Sequence, residues 1–543
     1  MKMKKRVSSL AVVAVLTGGL MTTVPAQARP VEFDQATIVE LQAAMAAGTL
    51  TAERLTEMCL ARIDAYDRKG PKLHAVIAIN PKAMEIARAL DAERKAGKVR
   101  GPMHGIPVIF KDNIDTVDIA TTGGSVLLEG HMPPDDAHLV KQLRDGGAII
   151  LAKVNLGEFA NGYQSSMGGQ SLNPHDLTRT PAGSSGGTGV GIAAGYAPLG
   201  YGTDTGGSIR GPSVTNGIVG MRPTYGLISH DGVIPLSLSL DMAGPMTRNV
   251  TDIAVSLGVT AGIDKADATT QTQKGNAHRD YTKFLNANGL KGARIGLARD
   301  YMGADPDVDW IVEASVKAMQ RAGATVVDVR LPKWFLDSAS TMLWSIYPPE
   351  FAVQIGDYLK STGPKYPKNL DGLIAAAEAY NDLRPDGTGP NPYRWNFFKI
   401  EKASGTLNDP GYIAARDFGM PMTRALINGT LQKDKLDAIV YPTGRTRPAT
   451  IAGSPLTSGG GGVSPTVIAP LTGFPDLVVT AGFTTDDLPV AISFLGTAYS
   501  EPKLLALGYA FEQTTKAVRR PVHTPALPGH TIEVSGNDIA QAK

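Results

Sequence analysis

The densest run of chemically suggestive residues lies between Gly183 and Gly220, where 13 of 38 positions are glycine and Ser184, Ser185 and Ser208 sit among them. Glycine at that density points to backbone conformations other residues avoid. A phosphate-cradling G-x-x-x-x-G-K-[ST] loop is disfavoured, because no lysine follows these glycines. A dinucleotide fingerprint fits Gly187, Gly189 and Gly191 only loosely, with no acidic residue at the right distance beyond. Gly183-Ser184-Ser185-Gly186-Gly187 satisfies G-x-S-x-G, which would make Ser185 the nucleophile of an α/β-hydrolase, but residues 178–182 are polar and proline-containing where that elbow needs a buried strand. His230 and the later histidines stand in no triad context. Ser500-x-x-Lys503 matches the S-x-x-K of penicillin-recognising enzymes, yet Glu501 and Pro502 mark it as a helix start capped by Ser500.

These residues need elements to position them. Residues 106–110 form a short apolar run that ends in Lys111, residues 139–143 carry helical spacing, and residues 147–151 read as a second buried strand. Asn80-Pro81 reads as a cap followed by proline at the first helical position. The alternation of strands and helices predicts an α/β fold. Residues 363–409, rich in proline, asparagine and aromatics, are expected to be an irregular excursion or lid, and the four glycines 459–462 a flexible loop.

The whole chain of 543 residues has 53 Lys and Arg against 51 Asp and Glu, a formal charge of +2 that argues against nucleic acid as a partner. Hydrophobic residues at 43% and charged residues at 19% exclude a disordered chain. The single cysteine, Cys59, excludes an internal disulfide and a thiolate metal site, and its helical spacing with Leu55 and Ile63 predicts a buried structural thiol. Residues 1–28 begin with Lys2, Lys4, Lys5 and Arg6, continue with an apolar run too short to span a bilayer, and end in Ala26-Gln27-Ala28, which predicts a cleaved secretory signal. Its removal takes four basic and no acidic residues, so the formal charge falls from +2 to −2. The expected mature protein, from residue 29 to residue 543, is exported to the periplasm or medium, without membrane attachment.

The stretch PAGSSGGTGVGIAAGYAPLGYGTDTGGSIRGPS, preceded by GIPVIFKDN, resembles the amidase signature family of serine hydrolases. The likeness runs from LQAAMAAGTLTAERLT to LPVAISFLGTAYSEPKLLALGYAFEQ, and GPKLHAVIAINP and GTAYSEPKLL resemble the exported bacterial peptide amidases most. The resemblance implies one large α/β domain, with a mixed twisted sheet covered by helices on both faces and a signature core over about residues 100–260.

It also implies a triad of Lys111, Ser184 and Ser208, the two serines 24 positions apart. Ser208 would be the nucleophile, Ser184 would follow a cis peptide after Gly183, and Lys111 would be a neutral base whose pKa is lowered by burial at the end of its apolar strand. Thr205, Gly206 and Gly207 would supply oxyanion donors, Asp204, Arg210 and Ser185 would brace the loop, and the backbone near Ala160 would contact the scissile group. Ala182 stands where many members have a second glycine, Thr188 where serine is usual, and residues 161–170 are shorter than in the peptide amidases. Trp344, Tyr347 and Trp395 fit pocket and core equally. No cofactor or metal is implied, and the chain would act as a monomer or simple homo-oligomer. The implied reaction is hydrolysis of a linear amide, releasing ammonia from C-terminal amides of peptides or amino acids. Aryl acylamidase or ester hydrolase activity on the same site is the alternative. An ammonia-channelling component of a transfer-RNA amidotransferase complex is a rival of another class.

Overall fold

The computed structural model describes residues 29–382, 384, 388–452 and 463–534. The expected signal and the loop at residues 459–462 lie outside the described residues. The strands are, in chain order, β1 (Arg29–Glu32), β2 (Val76–Ile79), β3 (Pro107–Lys111), β4 (Ile149–Val154), β5 (Gln164–Ser165), β6 (Gly169–Gln170), β7 (Leu199–Asp204), β8 (Val219–Arg222), β9 (Met242–Thr247), β10 (Arg294–Ala298), β11 (Thr325–Val329), β12 (Ala438–Pro442), β13 (Asp476–Phe483), β14 (Pro489–Leu495) and β15 (Thr531–Val534). Eleven of them make one sheet in the order β11-β10-β12-β14-β13-β8-β9-β7-β3-β4-β2. β3 pairs in parallel with β4 and β7, and β10 with β11 and β12, while the remaining pairs are antiparallel. This is the single large α/β domain expected, its mixed sheet flanked by helices.

The central strands β3, β4, β7, β8 and β9 are buried along their whole length, which is why β3 and β4 read as short apolar runs and not as alternating patterns. The glycine-rich helix Gly186–Ala193 lies on this centre. A methyl group at Gly187 would stand 2.4 Å from the Asn155 carbonyl oxygen, so only glycine lets the helix approach so closely.

Cys59 is fully buried on the helix Ala52–Arg62, as its spacing predicts, and burial pushes its thiol up to about 12. The helix after Asn80-Pro81 starts later than expected, at Ala83, because Asn80 Oδ1 accepts the Lys82 N–H at 2.9 Å and closes a turn before the helix. Ser500 does precede the helix Glu501–Thr515, with Pro502 in its first turn, but its hydroxyl caps nothing.

The excursion differs from expectation. Residues 363–409 contain the helices Leu370–Ala379 and Pro392–Ala403, packed against the long helix Lys333–Leu359. The asparagines and prolines that suggest irregular chain are start signals: Asn369 and Asn391 accept the N–H groups of Gly372 and Arg394, and Pro392 opens its helix. These helices share a second apolar core with Phe159, Ala160, Leu236 and Leu240. Among the described residues, no helix is long and apolar enough to cross a membrane.

Candidate active site

Lys111 closes β3 with its side chain fully buried. Its Nζ lies 2.7 Å from Ser184 Oγ, 2.7 Å from Thr203 Oγ1 and 3.4 Å from the Thr203 carbonyl oxygen. Burial brings its pKa down to about 7, against the pull of Asp204 and Asp241. Neither neighbouring carboxylate pairs with it. Asp112 faces Lys153 at 3.3 Å, and Asp115 accepts the Tyr358 hydroxyl at 2.7 Å.

Ser184 follows a cis peptide from Gly183 and is almost fully buried. A side chain at Gly183 would stand 2.0 Å from the Gly162 carbonyl oxygen, so that position admits only glycine. Ala182 adopts a left-handed φ of 55°. Ser185 is committed elsewhere: its hydroxyl donates to the Thr203 carbonyl at 3.1 Å and accepts the Thr203 N–H at 3.3 Å. With no exposed surface, Ser185 cannot be presented as a nucleophile. Its N–H donates to the Ser208 carbonyl at 3.2 Å, which ties the serine pair to the turn between β7 and the helix Arg210–Thr215. Ser208, half-buried in that turn, is the most accessible of the three serines.

The turn is held from beneath. Asp204 accepts both Nε and Nη2 of Arg210, at 3.1 and 3.0 Å, and the N–H groups of Gly207 and Ile209, each at 3.0 Å. Arg222 adds a second cation at 3.2 Å, and Arg210 reaches on to Asp476 at 3.0 Å. All four side chains are fully buried. Burial alone would raise the Asp204 carboxyl, but Arg210 and Arg222 outweigh it and hold it far below the usual range. The Gly207 N–H, one of three expected oxyanion donors, is therefore spent on Asp204. The N–H groups of Thr205, Gly206 and Ser208 have no hydrogen-bond partner among the described residues.

Ala160 sits on the facing wall. Phe159 and Ala160 both adopt left-handed φ, 49° and 59°. That bend is pinned by Phe159 N–H donating to the Gly123 carbonyl at 2.8 Å, and by Glu158, which accepts Ser166 N–H at 3.0 Å and Trp395 Nε1–H at 2.8 Å. Arg394, fully buried, donates to the Glu158 carbonyl at 3.1 Å, pairs with Glu401 at 2.8 Å, and lies 4.5 and 4.6 Å from the ring centres of Phe398 and Phe351. Tyr347 donates to Glu401 at 3.1 Å and accepts from Asn161 Nδ2 at 2.6 Å. Tyr347 and Trp395 thus bury their rings in the second core and use their polar tips to hold the wall. Sequence reasoning passes over Glu158, Arg394 and Glu401; an arginine among four aromatics in residues 393–398 is the available signal.

Residues 54–505 match the family model described as Amidase. A glutamyl-tRNA(Gln) amidotransferase subunit of Chloroflexus aurantiacus is 36% identical over 490 residues, covering 89% of this chain and 98% of that relative. The solved peptide amidase of Stenotrophomonas maltophilia superposes with a TM-score of 0.82 at 38% identity, over 90% of this chain and 99% of that one. The solved glutamyl-tRNA(Gln) amidotransferase subunit of Thermotoga maritima gives a TM-score of 0.69 at 26% identity, over 90% and 98%. The chain belongs to the amidase signature family and is an enzyme of amide C–N bonds.

Proposed function

We propose that this chain hydrolyses linear amides through an acyl-enzyme on Ser208, releasing ammonia from C-terminal amides of peptides or amino acids, and that residues 1–28 export it before removal. The observation that carries the reading is a lysine without exposed surface, its pKa near 7, 2.7 Å from Ser184 Oγ. A serine hydroxyl attacks an amide only when a base takes its proton, and an amine with that pKa is the base for neutral pH. Ser208 Oγ attacks the carbonyl carbon while its proton passes through Ser184 Oγ to Lys111 Nζ. The developing oxyanion takes the unpartnered N–H groups of the 205–208 turn. Collapse breaks the C–N bond as the proton returns from Lys111 to the leaving nitrogen. Water then attacks the acyl ester by the same proton route, freeing the acid and Ser208.

The likeness to the peptide amidase supports the substrate class. The 36% identity to an amidotransferase subunit supports a second reading, in which ammonia is passed to a partner. One experiment separates them: purified chain, alone, is given a panel of peptide amides, anilides and short aliphatic amides, and ammonia or amine release is followed. Release of ammonia from peptide amides without a partner, lost in Ser208→Ala, is the expected result. Preference for anilides moves the substrate to aryl acylamides, and inertness that a transamidation partner relieves supports the second reading.

A further inference from the structure

A neutral amine has two N–H groups and one lone pair, so Lys111 serves as a base only if its lone pair faces Ser184. That orientation requires acceptors for both N–H groups. Among the described residues, the two oxygens that can take them both belong to Thr203, Oγ1 at 2.7 Å and the carbonyl at 3.4 Å. Thr203 is fixed at each end. Asn113 Nδ2 donates to Thr203 Oγ1 at 3.1 Å, which selects the rotamer that points the hydroxyl, and not the methyl group, at Lys111. Ser185 clamps the Thr203 main chain through its paired hydrogen bonds at 3.1 and 3.3 Å. Both Thr203 and Asn113 are buried, and neither is part of the expected triad.

We infer that Thr203 is the positioning residue that turns the Lys111 lone pair onto Ser184, and that Asn113 holds its hydroxyl in place. The inference rests on the reading of Lys111 as the base. The other charges facing Lys111 are Asp204, neutralised by Arg210 and Arg222, and Asp241, which accepts from Thr205; Asp112, next in the chain, is paired with Lys153 of the adjoining strand β4. An acceptor at Thr203 Oγ1 stabilises the ammonium form more than the neutral one, so its loss lowers the pH at which Lys111 gives up its proton.

The test follows the rate at which an alkyl fluorophosphonate labels Ser208 in the full chain, as a function of pH. Thr203→Val keeps the shape and removes the oxygen. Its plateau rate should fall about 100-fold, the usual effect of a misdirected catalytic group, while the acid limb moves to lower pH. Thr203→Ser should restore both. Asn113→Ala should move both in the same direction by a smaller factor, and it carries the test if Thr203→Val does not fold. A folded Thr203→Val, or Asn113→Ala in its place, with the wild-type plateau and acid limb overturns the inference. Ser208→Ala that still takes label elsewhere and still turns over amides overturns the underlying reading, whatever Thr203 does.

Discussion

Lys153 Nζ stands 3.3 Å from Asp112 Oδ1 with both side chains fully buried, so the carboxylate that follows Lys111 in the chain serves the lysine of the next strand. Lys153 is in register with Phe110, and alternation along β3 puts Phe110 and Asp112 on one face and Lys111 on the other. Two buried lysines are thereby given opposite roles. Lys153 has a counter-ion and further acceptors in the Ile114 carbonyl at 2.6 Å and Thr121 Oγ1 at 2.7 Å, whereas among the described residues Lys111 has only neutral oxygens within hydrogen-bond reach.

Removing one partner of that ion pair leaves the other uncompensated. Asp112→Ala is expected to lose about 3–5 kcal/mol of stability. The double variant with Lys153→Met should recover most of that loss. Urea unfolding of the two single variants and the double variant measures both, and an Asp112→Ala chain as stable as wild type would dismiss the pair as a structural element.

The pH profile of the wild-type chain follows from Lys111. The base works only without its proton, so Ser208 labelling and amide turnover should rise with pH through about 7 and level off above it. Below that point each pH unit should cost about tenfold, as for one titrating group. A profile flat from pH 5 to 8 would be incompatible with Lys111 as the base.

Keeping an amine buried is costly to the fold. The fall of its pKa from 10.5 to about 7 is worth about 5 kcal/mol, felt in full below pH 7 and absent above 10.5. The unfolded chain binds the extra proton throughout that window, so stability should rise with pH across it. Lys111→Met should therefore be inactive yet more stable at pH 7 than wild type, with a flatter dependence between pH 7 and 10.5. Thermal melts at three pH values test the sign.

Two adjacent glycines in the nucleophile turn should respond differently. Gly207 has a φ of 127°, and an added methyl would lie 2.7 Å from Thr466, while the same group on Gly206 would meet only Leu343 at 3.7 Å. Gly207→Ala is expected to abolish Ser208 labelling, and Gly206→Ala to retain a measurable rate. Rates of similar size in both would mean that the turn tolerates more than its backbone suggests.

The parts of this site that can be read from sequence are those encoded locally. The strand ending in Lys111, the glycine-rich turn and the spacing of the serines are each contained in a short segment, and the structure brings Lys111, at the end of β3, to Ser184, in the loop before the helix Gly186–Ala193, over 73 positions. What escapes is long-range or polar. Asp204 leans on Arg210, which leans on Asp476, 266 positions away, and no pattern in either segment announces the other. Arg394 lies in the stretch expected to be irregular, and its partners Phe351 and Phe159 come from elsewhere in the chain, so its own segment does not mark it as buried. The stretch 363–409 misleads because proline and asparagine mark helix starts as well as loops, and the difference lies in whether an apolar face is waiting to be covered.

The small sheet of β1 and β15 pairs Arg29 with Val534 and Glu32 with Thr531. The two ends of the described chain are therefore strand neighbours, about 5 Å apart. In topological terms the domain is a ring with one open link. A short peptide joining residue 534 to residue 29 would close that ring, and a new opening in an exposed loop far from the 183–220 segment would leave the same sheet order and the same serines in place. The order in which the chain visits its strands is thus separable from the architecture that carries its chemistry, because the closing link falls at the β1–β15 pair and not in the eleven-stranded sheet.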